Sequence, residues 1–366
     1  QGDKDNKCGI GVQARKDRGE YLTIVSPLPG SPAVKAGLFP GDRILTIDGK
    51  STRGMTLKEA VALLAGREGS SVELQVAPSE TAQPTTLTVE RKEVTVASVR
   101  PWRLSQAGIP EYRLDAALDV AYVRVTQMSM TTADEFHRAL ESMGGPWPSG
   151  LVLDLRRNGG GILTGAIAII DEFLSGGMVL ALQTRGDPLS RFEAHTGGSY
   201  ENKNVVVLID ESTASGAEII AGALRDHGRA LVIGSRSHGV GSIENLVELG
   251  KPGQQKGLLK LTRAYFQLPS GDRIQRLPGE MKWGVSPDVP VALTPRQSQR
   301  CLGNQLRTEL VYPWDRIPVN ADEFSFATLY DVDVALRTAV LMLRLEDCRH
   351  RSSPPATQPQ TAPSVH

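Results

Sequence analysis

The pattern of apolar and polar positions changes texture along this chain. Between about Gly9 and Arg91, short β-rich runs alternate with turns: residues 21–25 (YLTIV), 43–47 (RILTI), 72–76 (VELQV) and 86–89 (TLTV). Residues 32–37 read as a short helix. Residues 57–64 read as a longer one, because Leu57, Ala60, Val61 and Leu64 make the i, i+3, i+4, i+7 stripe of an amphipathic helix. Asp48-Gly49 marks a hairpin turn, and the Pro, Ser and Thr of 78–86 mark a loop.

Beyond Val99 the strands lose their polar alternation. Residues 120–125, 151–155 and 204–209 are mostly apolar, and helical patterns follow at 132–143, from the Gly-rich turn 158–161 to Leu174, and at 214–226. Apolar strands each followed by a helix predict a mainly parallel sheet with helices on both faces, an α/β core. Residues 331–347 read as a terminal helix, followed by a Pro/Ser/Thr/Gln tail. The expected division is a β-rich domain over 7–92, an α/β core over 93–300, a C-terminal helical extension over 301–348 and a disordered tail over 349–366.

Composition narrows the function. The chain has 366 residues with 41 Lys plus Arg against 41 Asp plus Glu, so it lacks the positive field that non-specific binding of nucleic acid or an anionic membrane needs. We therefore expect no nucleic-acid partner. Apolar runs such as 339–343 fall far short of the ~18 residues that span a bilayer, and the chain reads as soluble, without an integral membrane segment. It opens on Gln1 rather than Met, so its natural start, with any signal peptide or anchor, is expected upstream. Cys8, Cys301 and Cys348 have no CxxC spacing, so no metal is implied. Cys301 with Cys348 is the favoured pair if any bridge forms, and no organic cofactor motif occurs.

Residues 8–12 (CGIGV) carry the first candidate site. Gly9 and Gly11 let successive N–H groups point outward to capture a carboxylate, and a neighbouring strand edge can then accept a peptide as an added strand. The plainer reading is that both glycines only permit a turn. With SPAVKAGL at 31–38 and PGDRILTIDG at 40–49, the stretch from Gly9 to about Arg91 resembles a PDZ domain of the bacterial type. The resemblance implies recognition of a polypeptide C-terminus by Gly9, Ile10, Gly11 and Val12, with 57–64 as one wall of the groove. A PDZ fold used as a spacer or gate is the alternative.

The second site begins at VVVLIDESTASGAEII, residues 205–220. A buried strand enters a small-residue turn and then a helix, with Ser215 at the helix start. A hydroxyl there sits beside orphan N–H groups and the positive end of the helix dipole. It is either an N-cap or a nucleophile beside an oxyanion site. The turn at 154–161 (DLRRNGGG) follows another buried strand and could aim a second N–H at the same point. DLRxNxGG, SxxEIIAGALxDxGRAxxIGxxxxGxGS, LKLTxAxxxxPSGxxIQ and GxxPD follow in order after the PDZ-like stretch. Together they resemble the carboxyl-terminal processing protease family, PDZ-containing serine endopeptidases of bacterial envelopes and chloroplasts.

Carried over position by position, the resemblance implies Ser215 as nucleophile and the N–H groups of Gly161 and Gly216 as oxyanion donors. The family's general base is a lysine in the turn that here reads Gly239-Val240-Gly241-Ser242, so the base position is Val240. The position that orients the lysine, usually glutamine, is Glu244. A serine hydroxyl is a weak nucleophile unless a neighbour takes its proton, and valine cannot. If 238–244 is extended, His238, Val240 and Glu244 share one face. His238 could then replace the lysine in a Ser215–His238–Glu244 arrangement; the plainer reading is a partly exposed histidine in a Gly-rich turn. Lys251, Lys256 and Lys260 fall in a loop or the following strand.

Two readings therefore stand. One is a serine endopeptidase that selects substrates by their C-termini. The other is an inactive pseudoprotease that binds C-terminal tails or regulates an active relative. Either implies polypeptide partners with apolar C-termini, leaves an oligomer or adaptor open, and by family resemblance places the chain in the bacterial cell envelope, in the periplasm.

Overall fold

The structure, a computed structural model, describes residues 8–17, 19–28, 30–78, 83–94, 97–105, 109–115, 118–184, 186, 189–195, 197–249, 257–308 and 330–352. For 115, 245–246, 248–249, 306–308 and 347–352 the description is of backbone alone. The described residues fall into two units, one within Gln1–Glu111 and Pro295–Val332, the other within Tyr112–Thr294 and Asp333–His366.

The first unit contains β1 (Cys8–Gly9), β2 (Val12–Arg15), β3 (Leu22–Pro27), α1 (Pro32–Lys35), β4 (Arg43–Ile47), β5 (Lys50–Ser51), α2 (Leu57–Leu64), β6 (Ser71–Ala77), β7 (Thr85–Glu90) and β8 (Lys92–Glu93). Its antiparallel sheet runs β2-β3-β4-β6-β7, which leaves β2 at an edge. Ile44 pairs with Val76 and Ile47 with Leu74 across β4 and β6. With Leu22, Ile24 and Val72 they form a buried core closed by Ala60 and Leu64 of α2. The predicted helical stripe divides here: Ala60 and Leu64 enter the core, whereas Leu57 and Val61 remain 42% and 49% exposed.

Both ends of α2 are held by polar contacts. At its start Thr56 Oγ1 accepts from Glu59 N (3.3 Å) while Glu59 Oε2 accepts from Thr56 N (2.7 Å), a reciprocal capping box. At its end buried Arg91 donates to the carbonyls of Leu64 (3.1 Å) and Leu63 (2.9 Å), a cation on the negative end of the helix. Three short strands follow: β9 (Val99–Arg100), β10 (Arg103–Leu104) and β11 (Pro110–Glu111), with β10 and β11 antiparallel.

The second unit contains β12 (Arg113–Asp115), β13 (Val120–Val125), α3 (Thr132–Ser142), β14 (Gly150–Asp154), α4 (Leu163–Asp171), β15 (Met178–Thr184), β16 (Ser190–Glu193), β17 (Val205–Ile209), α5 (Gly216–Asp226), β18 (Ala230–Gly234), β19 (Ser242–Leu249), β20 (Gly257–Gln267) and β21 (Val289–Pro290). Its main sheet runs β12-β13-β14-β17-β18-β21. All of these neighbours are parallel except β12 with β13. Every residue of β13, β14 and β17 is buried. Successive side chains point to opposite faces, so both faces of these strands are covered, as their unbroken apolar runs predict.

Two helices follow: α6 (Pro295–Thr308) and α7 (Val334–Ser352). Helix α7 packs on β14, β17 and β18, and α5 packs on α4 and β18. Helix α6 packs on β10 and belongs to the first unit. The contacts therefore divide the chain after Glu111, Thr294 and Val332, whereas changes of sequence texture place the divisions at 92, 300 and 348. A second sheet, β16-β15-β20-β19, is antiparallel. Cys301 is buried with its thiol 3.9 Å from Val332 O, while the Cys348 side chain and all residues beyond Ser352 lie outside the described part.

A buried charge network fixes the end of β14. Asp154 accepts from Tyr122 Oη (2.7 Å) and Arg156 Nη2 (2.6 Å), and Arg156 also reaches both oxygens of Asp333 (3.0 and 2.7 Å). Burial pushes the Asp154 carboxyl up, but Arg156, with the Tyr122 hydroxyl and Arg124, more than offsets this and holds it below its ordinary value. Asp333 in turn accepts from Leu336 N (3.0 Å) in the first turn of α7. The turn that leaves β14 is thus tied to a helix distant in sequence. No helix among the described residues is long and apolar enough to cross a membrane.

Candidate active site

Strand β17 delivers the chain into the turn 210–214 and then into α5. Ser215 stands at that elbow with φ 54° and ψ −121°, a left-handed conformation rare for a residue with a Cβ. Such strain costs about 1–3 kcal/mol and persists only where its surroundings enforce it. Here they do. Asp210 Oδ1 accepts from Ser212 N (3.0 Å) on its own turn and from Arg157 N (2.9 Å) on the turn after β14. Asn158 O accepts from Ala214 N (2.9 Å), while buried Asn158 donates to Val125 O (2.8 Å) and accepts from Gly160 N (2.8 Å). The two turns singled out in the sequence are therefore locked together.

Their glycines are steric requirements. A Cβ on Gly160 would stand 2.6 Å from Ser215 Cβ, 2.7 Å from Ala214 O and 2.9 Å from Gly216 N. Gly161 has φ 137°, and its Cβ would stand 2.1 Å from Met128 O. The two expected oxyanion donors lie close together: a Cβ on Gly216 would lie 4.0 Å from Gly161 N. Neither the Gly161 N–H nor the Gly216 N–H has a hydrogen-bond partner among the described residues. The second is the first N–H of α5, at the positive end of its dipole. Two unpaired donors beside a strained serine are suited to stabilise an oxyanion.

The sequence reading missed Glu218. This buried carboxylate gathers four donors: Oε2 accepts from Ser215 N (2.8 Å) and Val240 N (2.8 Å), and Oε1 from Ser237 Oγ (2.5 Å) and Gly239 N (2.8 Å). It joins the backbone of Ser215 to the turn 237–240. Burial raises the Glu218 carboxyl above its ordinary value, and the donors offset that only in part. The signal was available, since Ser-x-x-Glu is capping-box spacing and places a carboxylate at the third helical position.

The proposed replacement base does not reach the serine. Residues 235–241 form no strand, and β19 begins only at Ser242, so the period-two argument that grouped His238 with Glu244 does not apply. His238 is exposed, its N–H donates to Thr213 O (2.9 Å) and its Nδ1 lies 3.2 Å from Glu211 O. Glu244 forms an ion pair with Lys260 across the β19–β20 ladder. No hydrogen bond joins His238 to Ser215 or to Glu244. Val240 is part-buried with its backbone held by Glu218. Lys251 and Lys256 lie outside the described residues. Among the described residues no group of His, Cys, Asp and Glu is arranged to hold a metal.

In the first unit, Gly9 pairs with Lys92 in the β1–β8 ladder, and Ile10 is buried. Gly11 has φ 77°, and a Cβ there would stand 2.4 Å from Ser31 Cβ. The carbonyls of Ile10 and Gly11 accept from Ala33 N (2.8 Å) and Leu28 N (2.9 Å), which fixes the loop. The N–H groups of Ile10 and Gly11 have no partner among the described residues, and Val12 begins the edge strand β2. Among the described residues, two unpaired N–H groups thus stand beside the sheet edge at β2, an arrangement suited to a terminal carboxylate.

Each unit matches a family model. A family model described as Peptidase family S41 matches residues 119–291, and one described as PDZ domain matches residues 23–78. The carboxy-terminal-processing protease of Bartonella bacilliformis is 34% identical over 288 residues, 77% of this chain and 61% of its own length. A carboxyl-terminal-processing protease of Picosynechococcus is 32% identical over 304 residues, 83% of this chain and 70% of its own. The chain spans about three fifths of the Bartonella relative's length, as it does for relatives from Tetradesmus obliquus and Synechocystis. A crystal structure from Bacteroides fragilis, described by family as an S41 protease, is 18% identical with a TM-score of 0.54 over 94% of this chain and 84% of its own, a likeness of fold.

Proposed function

The chain belongs to peptidase family S41, among the PDZ-containing carboxyl-terminal processing proteases, and from that premise we propose that it is a non-cleaving member that captures polypeptide C-termini. One observation carries this reading. The turn held against the nucleophile by Glu218 presents Val240, while His238 and Glu244 are engaged elsewhere. Ser215 and the unpaired N–H groups of Gly161 and Gly216 form a site complete but for its proton acceptor. Removing one member of a serine-protease triad costs on the order of 10⁴–10⁶ in kcat.

Binding is supported separately. The N–H groups of Ile10 and Gly11 suit a terminal carboxylate, and exposed Leu57 and Val61 on α2 suit an apolar last residue. A bacterial envelope location belongs to the same reading, and fractionation of the source cells tests it.

The experiment follows an unstructured peptide with an apolar C-terminus by anisotropy and by mass spectrometry. The parent should bind it, with at least about tenfold weaker binding after C-terminal amidation, a 1.4 kcal/mol loss. It should leave the peptide intact, as Ser215→Ala does. Val240→Lys should gain cleavage that a second Ser215→Ala substitution abolishes. Cleavage by the parent that disappears in Ser215→Ala would overturn the non-cleaving reading, and its loss in His238→Ala would assign the base to that histidine.

A further inference from the structure

A cavity of about 520 Å³ opens in the second unit behind the turn that carries Val240. Its lining includes Arg236, Arg273, Lys282 and Trp283, with Asp272 and Glu280. The Arg236 guanidinium lies 4.6 Å from the Trp283 ring centre, and its Nη1 donates only to the uncharged carbonyl of Met281 (3.2 Å). Arginine stacked on an aromatic face keeps its in-plane N–H groups free for a carboxylate. Arg273 and Lys282 form no hydrogen bond or ion pair among the described residues, although Asp272 and Glu280 line the same cavity. Among the described residues these three cations have no anionic partner.

Arg225, also in the lining, is already committed to Asp226 (2.9 Å) and Ser286 O (2.9 Å). The two carboxylates and the chain's zero net charge disfavour a polyanion. Met281, 84% exposed, supplies an apolar lip, while the Trp283 ring carries the guanidinium groups of both Arg236 and Arg276, each 4.6 Å from its centre. Few fixed charges beside an apolar surface suit a peptide carrying an acidic side chain next to an apolar one. A cavity of this volume admits a few side chains.

The cavity adjoins the candidate active site. A Cβ on Gly239 would stand 2.8 Å from Trp283 Cδ1, and Val285 N donates to Ser237 Oγ (2.6 Å), which donates to Glu218. Its wall at Trp283 and Gly284 thus packs directly on the turn that Glu218 joins to Ser215. We propose that this cavity is an exosite for an acidic side chain of the bound polypeptide. The proposal rests on the reading of the chain as a polypeptide-binding protein, and adds a sequence preference independent of the C-terminus.

The test uses the whole chain and an N-acetylated, C-amidated peptide, Gln-Glu-Leu-Gln-Gln, with Gln-Gln-Leu-Gln-Gln as reference. Amidation removes the carboxylate that the PDZ nest would capture. At low ionic strength the acidic peptide should bind at least about tenfold tighter than the reference. Arg273→Ala and Lys282→Ala should each weaken it about threefold to tenfold, and 0.5 M NaCl should do the same. Both side chains are exposed, so these variants should unfold at the parent's temperature. Arg236→Lys keeps the charge and removes the planar fork, and should also weaken binding.

Equal affinity for the two peptides would overturn the exosite, as would acidic-peptide affinity unchanged in Arg273→Ala and Lys282→Ala. Loss on Gly11→Ala but not on the cavity variants would place binding in the PDZ domain and overturn it too. Citrate that competes with the peptide at equal affinity would make the cavity a small-anion site instead. Failure of the general peptide-binding reading is distinguishable, because it appears with the free-carboxylate apolar peptide rather than here.

Discussion

Glu218→Gln isolates the contact that joins the serine to the turn in front of it. Gln has nearly the same shape, but one carboxylate oxygen becomes an NH₂ group. Each Glu218 oxygen accepts two donors, so whichever oxygen is replaced, two donors lose their acceptor and face another donor. A buried donor left unsatisfied costs about 1–3 kcal/mol, with partial relief from side-chain and backbone adjustment. We take about 3 kcal/mol for the pair. For a unit of this size that lowers the melting temperature by about 6–12 °C. Calorimetry or near-UV circular dichroism would read it, with exposed Glu211→Gln as a control expected within about 0.5 kcal/mol of the parent. A Glu218→Gln protein within about 2 °C of the parent would refute the reasoning.

The same variant carries a pH signature. Burial raises the Glu218 carboxyl above the ordinary 4.5, so the folded chain holds this proton more tightly than the unfolded chain. The stability that this contributes is fully present below the unfolded value and is lost as the pH rises through the raised one. The penalty for Glu218→Gln should therefore be larger at acid pH than at neutrality. A penalty that grows with pH would mean that the four donors outweigh burial.

Three further outcomes follow from positions where the backbone leaves no latitude. Ser215→Gly should raise stability by about 1 kcal/mol in urea unfolding, because glycine adopts φ 54° without strain; a loss of stability would show that the hydroxyl is a structural cap. Gly160→Ala forces a Cβ to within 3 Å of three atoms of the serine elbow at φ 88°, and should cost about 2–4 kcal/mol by the same assay. Gly11→Ala should weaken capture of an apolar C-terminal peptide at least about tenfold, because its Cβ would collide with Ser31 and displace the nest; unchanged affinity would remove the loop from the binding site.

The elements nearest the chemistry were legible in the sequence because their signals are local. Unbroken apolar runs announced β13, β14 and β17 as strands buried on both faces. Small residues between a strand and a helix announced the elbow at Ser215, and Gly-x-Gly announced the loop at Gly11. The absence of a proton acceptor at Val240 is a covalent fact that no fold can alter.

Partnership was not local, and only the tertiary structure decided it. The stripe on α2 predicted one apolar face, but the depth of the first unit's core admits Ala60 and Leu64 and leaves Leu57 and Val61 outside. His238 and Glu244 were grouped by strand periodicity. The chain before Ser242 instead bends to give the His238 N–H to Thr213, and Glu244, opposite Thr262 in the ladder, meets Lys260 diagonally. Glu218 looked like one helical acid among others until the turn at 237–240 folded onto it. Periodicity states which way a side chain leaves its own segment. Its partner depends on where a second segment arrives, which is set by the packing of the whole unit.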